Sequence, residues 1–131
     1  MLMRSLADRL ITFLETGRPP VGLFTPRAFV DFTMPHWRLQ AEGAEQVVAM
    51  RQHGHPGPGR VPRHRFDPTP TGFVLEVEEA WHDDSGDWYC RELFRADATD
   101  AGITQLSVYC TGDWDAARVA EHQATIQLIR P

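Results

Sequence analysis

The sequence predicts an α+β domain in which N-terminal helices pack on one face of a curved antiparallel (mixed) sheet and enclose a pocket. Two observations carry this. Helical periodicity dominates the first part of the chain, and a period of two then runs through four long segments joined by turn residues. A third is size. The 131 residues, read as one domain over 1–131, are enough to bury a core without disulfide or metal support.

The order of elements follows from local chemistry. Leu2, Leu6, Leu10, Phe13 and Leu14 recur at helical spacing, with Ala7 and Ile11 widening the stripe, so a helix spans Leu2 to Glu15. Gly17 supplies a left-handed stop and Pro19-Pro20 forbids continuation. Thr25-Pro26 reads as a cap with a first-turn proline, which predicts a very short helix ahead of an extended run from Phe29 to Met34. Pro35 makes a bend before a second extended run, His36 to Ala41. Gly43 opens a short helix, Ala44 to Arg51, closed by Gly54. The stretch His55-Pro56-Gly57-Pro58-Gly59 is an exposed loop, either a plain connection or a lid.

Extended runs follow at Val61 to Asp67, Phe73 to Asp83, Asp87 to Asp97 and Ile103 to Thr111. Turn chemistry at residues 69–72, 84–86 and 98–102 joins them as hairpins. Asp113 then caps a helix from Trp114 to about Gln123, and Ile126, Leu128 and Ile129 form a tail that is either a last strand or irregular chain.

Composition removes several function classes. The formal charge of −5, with Lys and Arg scattered, argues against nucleic acid or a membrane surface as partner. The N-terminus lacks the pattern of an export signal and no apolar run is long enough to span a bilayer, so a soluble cytoplasmic protein is expected. Cys90 and Cys110 fall inside neighbouring strands as small hydrophobes, and His53, His55, His64, His82 and His122 share no ligand spacing; no metal and no cofactor are expected.

The candidate site comes from two anomalies in strand patterning. Phe73, Leu75, Val77, Glu79 and Trp81 share one face, and Trp88, Cys90, Glu92, Phe94 and Ala96 share another, each with one carboxylate among apolar residues. A hairpin closing at Ser85-Gly86 sets Glu79 opposite Glu92, and Glu76 opposite Arg95 on the outer face. Two such carboxylates cannot both be buried ionised, so one keeps its proton or both find donors; that is acid/base equipment. The structural alternatives are a bulge that turns one of them to solvent, or neutralisation by Arg38 or His36. His36 is the third catalytic candidate, at the bend near the predicted mouth beside Trp37. Asp31 is read as solvated or capping. Trp81, Trp88 and Phe94 line the wall, and Tyr109 either donates its hydroxyl into the cavity or packs as a core residue.

The element order, together with Leu23-Phe24-Thr25-Pro26-Arg27-Ala28-Phe29-Val30, Gly43-Ala44-Glu45-Gln46-Val47-Val48 and Arg91-Glu92-Leu93-Phe94-Arg95, resembles the NTF2-like superfamily, and within it the SnoaL-like and ketosteroid-isomerase-like group. The resemblance implies a cone whose interior holds a small molecule. Ketosteroid isomerases, polyketide cyclases and epoxide hydrolases share that cone with members that only bind or dimerise. Glu92-Leu93-Phe94 is similar to the place where ketosteroid isomerases carry a protonated oxyanion-hole acid, which implies that Glu92 points inward. The base of those isomerases falls near Phe32 to Met34, where this chain has no carboxylate.

Two functions are therefore in view. One is a cofactor-independent acid/base enzyme of isomerase, cyclase, dehydratase or epoxide-hydrolase type, acting on a small, largely apolar biosynthetic intermediate through Glu92, Glu79 and His36. The other is a non-catalytic small-molecule-binding or dimeric interaction protein of the same fold. A homodimer through the outer sheet face is expected, because Val74, Ala80, Leu93, Leu106 and Val108 are read as apolar residues there.

Overall fold

A computed structural model describes residues 2–130. The elements are α1 (Leu2–Thr16), β1 (Phe24–Met34), β2 (Trp37–Glu42), α2 (Ala44–Gly54), β3 (Gly59–Pro68), β4 (Gly72–Asp83), β5 (Gly86–Thr99), β6 (Gly102–Cys110), β7 (Trp114–Asp115) and α3 (Ala116–Thr125). One sheet runs in the order β2-β1-β6-β5-β4-β3, with β7 paired to β5. All neighbours are antiparallel except β1 and β6, which makes the sheet mixed.

Helix α1 buries Leu6, Ala7, Leu10, Phe13 and Leu14, the stripe its periodicity dictates, and packs on β3 and β4. Its end is fixed where Gly17, at φ 73°, donates its N–H to the Phe13 carbonyl. Helix α2 packs on β1 and β2. The core lies between these helices and the concave face, where Phe73, Leu75, Val77, Phe94, Ala96, Leu106 and Val108 are buried.

Several local expectations give way to tertiary pairing. Thr25-Pro26 starts no helix: β1 begins at Phe24, and its register on β6 shifts between Phe24 and Phe29, so the proline sits in an irregular stretch that needs no ladder donor. Pro35 and His36 form the tight turn of the β1–β2 hairpin, closed by the Met34–Trp37 pair, with His36 in the left-handed region at φ 63°. The second strand accordingly starts at Trp37 rather than His36.

Trp114 and Asp115 pair with Tyr89 and Trp88, continuing along β5 beyond the end of β6. Helix α3 therefore starts at Ala116, and its cap is Asp115, which accepts from the Arg118 N–H at 2.8 Å. Asp113 is released from the capping role expected of it. After Thr125 the tail is irregular, and Ile126, Leu128 and Ile129 are exposed.

The β4–β5 hairpin closes on Asp83 and Gly86, one residue earlier than the sequence suggested. Asp83 Oδ1 accepts from the Ser85 N–H at 2.8 Å and from Trp88 Nε1 at 2.9 Å, which draws the turn onto Asp84 and Ser85. The partner of Glu79 is consequently Cys90, that of Glu92 is Val77, and that of Glu76 is Leu93 rather than Arg95. A displacement of two residues preserves the face, so Glu79 and Glu92 remain diagonal neighbours on the concave side. Leu106 and Val108 also face inward and are buried, opposite Ala96 and Phe94, and do not belong to the outer surface expected to hold them.

Candidate functional site

Glu79 and Glu92 are the two buried charged residues among those described, at 3% and 2% exposure. Their cation is neither Arg38 nor His36. Arg38 is occupied on the exposed β2 edge, where Nε and Nη2 bind the two Asp31 oxygens at 2.9 and 2.6 Å. Arg51 of α2 performs the role: it donates from Nη2 to Glu79 Oε1 at 2.5 Å and from Nη1 to Glu79 Oε2 at 3.1 Å. Nη2 also donates to the Leu14 carbonyl at 3.1 Å, tying the cluster to the end of α1. Val47, one turn earlier, is the buried residue of α2, so helical spacing aims Arg51 at the sheet.

Glu92 is the unusual member. Both of its oxygens are buried without a hydrogen-bond partner, and its ion-pair contact is Arg51 Nη1 at 3.7 Å from Oε1. A proton resolves this. Burial raises the pKa of Glu92 well above the ordinary carboxylate range, and the adjacent Glu79 carboxyl pushes it further. Burial alone would raise Glu79 too, but the adjacent Glu92 carboxyl and the Arg51 guanidinium outweigh it and hold Glu79 below its ordinary value. The two shifts run in opposite directions and favour the state with one proton on Glu92 beside one guanidinium.

α1 and the apolar walls fill most of the cone. What remains is a cavity of about 130 Å³ and a deeper one of about 40 Å³. Phe32, Met50 and Arg51 line both, with Phe94 and Val108 in the deeper one and Met34, Leu39, His55, Cys110 and Asp113 in the larger. A wider groove of about 570 Å³ runs between Pro19–Phe24 and α2, but Glu45 is the one titratable residue lining it, so it lacks the convergent chemistry of the cone.

The larger cavity brings in residues that sequence reasoning assigned elsewhere. His55, read as part of an exposed loop, is half-buried with its ring edge-on to Trp81 at 4.3 Å. Its Nε2 lies 3.8 Å from Asp113 Oδ1. Burial lowers the imidazole's affinity for a proton and the Arg51 charge lowers it further, so His55 is neutral near pH 7. Asp113 is raised by burial, against His55 and Arg51. Cys110 is lowered, first by its contact with Cys90 and then by the Gly112 N–H, which donates to its sulfur at 3.4 Å; the contact with Cys110 and burial push Cys90 up.

The remaining candidates are dispersed. His36 is exposed on its turn and Trp37 is 62% exposed at the same end of the β1–β2 hairpin. Tyr109 projects from the convex face at 56% exposure, because inward positions alternate as Leu106, Val108 and Cys110; it neither enters the cavity nor packs in the core. Trp81 and Trp88 stack on each other at 6.4 Å, forming the support behind His55 rather than the cavity lining.

An NTF2-like protein from Anabaena variabilis superposes with a TM-score of 0.70 over 86% of this chain and 88% of its own, at 14% identity. The chain has the NTF2-like fold. A candidate polyketide cyclase from Xanthomonas campestris pv. campestris aligns at TM-score 0.63 and 13% identity over 82% of this chain and 88% of that one. A protein of ketosteroid isomerase-like fold from Catenulispora acidiphila, solved with trimethylamine, aligns at 0.64 and 10% over 91% and 92%. No protein-family model and no curated protein matches the sequence. Identities this low speak for the NTF2-like architecture and leave the chemistry to the site.

Proposed function

We propose that this NTF2-like chain is a cofactor-independent acid/base enzyme acting on a small, largely apolar intermediate by isomerisation, cyclisation, dehydration or ring opening. The observation that carries it is Glu92, a buried carboxyl with no partner, set beside an ion pair that consumes the available cation. Kept neutral, it is a proton donor at neutral pH; ionised Glu79 is the acceptor that makes the donor's return possible. Arg51, held in one orientation by Glu79 and the Leu14 carbonyl, lines both cavities and keeps Glu79 ionised as the proton acceptor. Met50, which lines both cavities, is the adaptable side chain whose movement would open a path to the carboxyls.

A cavity of about 130 Å³ suits a small substrate. Trimethylamine in the Catenulispora neighbour is a molecule of that scale. We place the protein in the cytoplasm, where Cys90 and Cys110 stay reduced; no helix among the described residues is long and apolar enough to cross a membrane. Pairing of two copies through the outer face would cover Leu93 and Tyr109, and light scattering at micromolar concentration tests it.

The test is solvent deuterium exchange. Small ketones, unsaturated ketones and epoxides incubated in D₂O with the wild-type chain should show accelerated exchange or conversion by NMR, reduced about 10²-fold or more in Glu92→Gln. Turnover unchanged by that substitution removes Glu92 from the mechanism. A second reading, a binder without turnover, is favoured by one observation: neither carboxyl lines either cavity. A metabolite that co-purifies with the protein and is never transformed would establish it.

A further inference from the structure

The mouth of the larger cavity is built from acceptors. Asp113 contributes a carboxylate there and His55 a neutral imidazole, and the 3.8 Å between Nε2 and Oδ1 is too long for a hydrogen bond between them. A nitrogen donor placed between the two would lie about 2.8–3 Å from each, the separation of charge-assisted hydrogen bonds. Both acceptors are held in place. His55 caps α2 through its backbone N–H to the Arg51 carbonyl and rests against Trp81, while Asp113 follows Gly112, whose N–H is fixed on Cys110 Sγ.

Charge selects the ligand further. Arg51 faces the same cavity, yet both of its terminal nitrogens are engaged by Glu79 and one also by the Leu14 carbonyl, so an incoming anion finds no open fork. With Arg51 balanced by Glu79, the formal charge left among the cavity-lining residues is that of Asp113. The other walls, Phe32, Met34, Leu39 and Met50, accept alkyl groups.

We propose that His55 and Asp113 form a recognition site for a small alkylammonium group, so that the ligand of this cavity is an amine whose apolar part points toward Met50 and Phe32. This deepens the acid/base reading and rests on it for the cavity being a ligand site. The proposal names the binding end of the molecule; Glu92 and Arg51 lie beyond its apolar part.

Three probes of one shape test it: tert-butylammonium, tert-butanol and pivalate, titrated into the full chain at neutral pH and followed by the NMR shifts of His55 and Met50. The ammonium should bind at least about tenfold more tightly than the alcohol, and pivalate more weakly than either. Asp113→Asn should erase the difference between ammonium and alcohol while leaving the alcohol's affinity within about threefold. Equal binding of the three, tightest binding of pivalate, or an ammonium preference that survives Asp113→Asn overturns the amine proposal and leaves the acid/base reading intact. Binding of none of them overturns it together with the cavity as a ligand site. Loss of exchange activity in Glu92→Gln is independent of all of these results.

Discussion

Arg51 grips both carboxylate oxygens of Glu79, at 2.5 and 3.1 Å, while its Nη1 stops 3.7 Å short of Glu92. One guanidinium therefore serves two buried carboxyls unequally. The inequality makes one of them a base and the other a retained acid.

Removing the cation should be costly. Arg51→Met leaves two buried carboxyls without a positive partner, a change expected to lower stability by about 3–5 kcal/mol in urea unfolding. Converting the whole cluster, with Arg51→Met, Glu79→Leu and Glu92→Leu together, should recover most of that loss, because no charge is then left uncompensated. A triple variant as unstable as the single one would show that the cluster is not the source.

The two glutamates should oppose each other in pH dependence. Glu92 is raised in the folded state, so its contribution is fully present below its unfolded value, near 4.5, and is lost as pH climbs toward the folded value. Over that range the stability of Glu92→Gln relative to wild type should improve by about 1.4 kcal/mol per pH unit. Glu79 is lowered, so its contribution is present above its unfolded value and is lost as pH falls through the folded one. Denaturant unfolding from about pH 2 to 8 for wild type, Glu92→Gln and Glu79→Gln checks both slopes, that of Glu79 below its unfolded value and that of Glu92 above it.

The thiols should differ in reactivity. Cys110 lines the cavity, receives the Gly112 N–H and is lowered, whereas Cys90 is buried and raised. One equivalent of iodoacetamide should be incorporated by the native protein, at Cys110, and Cys110→Ser should abolish it. Labelling of Cys90 at a comparable rate would contradict its burial.

Gly72 tests the sheet itself. It starts β4 directly over β5, and a Cβ there would collide with the Ala96 carbonyl oxygen. Gly72→Ala should destabilise the fold by about 3 kcal/mol or more, since backbone rather than a flexible side chain must move. Gly54→Ala at the end of α2, where nothing crowds a Cβ, should cost much less.

The inward face of Glu79 and Glu92 was legible because strand alternation survives a register error of two. The error itself came from Asp83, whose side chain draws the turn one residue earlier through a hydrogen bond from Trp88 that no local pattern announces. Arg51 left a signal that went unread: it lies one turn after Val47 on the buried side of α2. Asp113 was masked by a plausible alternative, since a residue before an amphipathic run looks like a cap until β7 intervenes. Tyr109 and His36 depended on phase and turn conformation, which only the pairing of β1, β2 and β6 fixes.

The most direct test is the protonation of Glu92 in the folded protein at neutral pH. Carbon-13 NMR of glutamate side-chain carboxyls, assigned by Glu92→Gln, should show one resonance at the protonated position that stays there through pH 7 and disappears in the variant. A Glu92 resonance at the carboxylate position, titrating near the ordinary glutamate value, would leave the site without its acid and contradict the account.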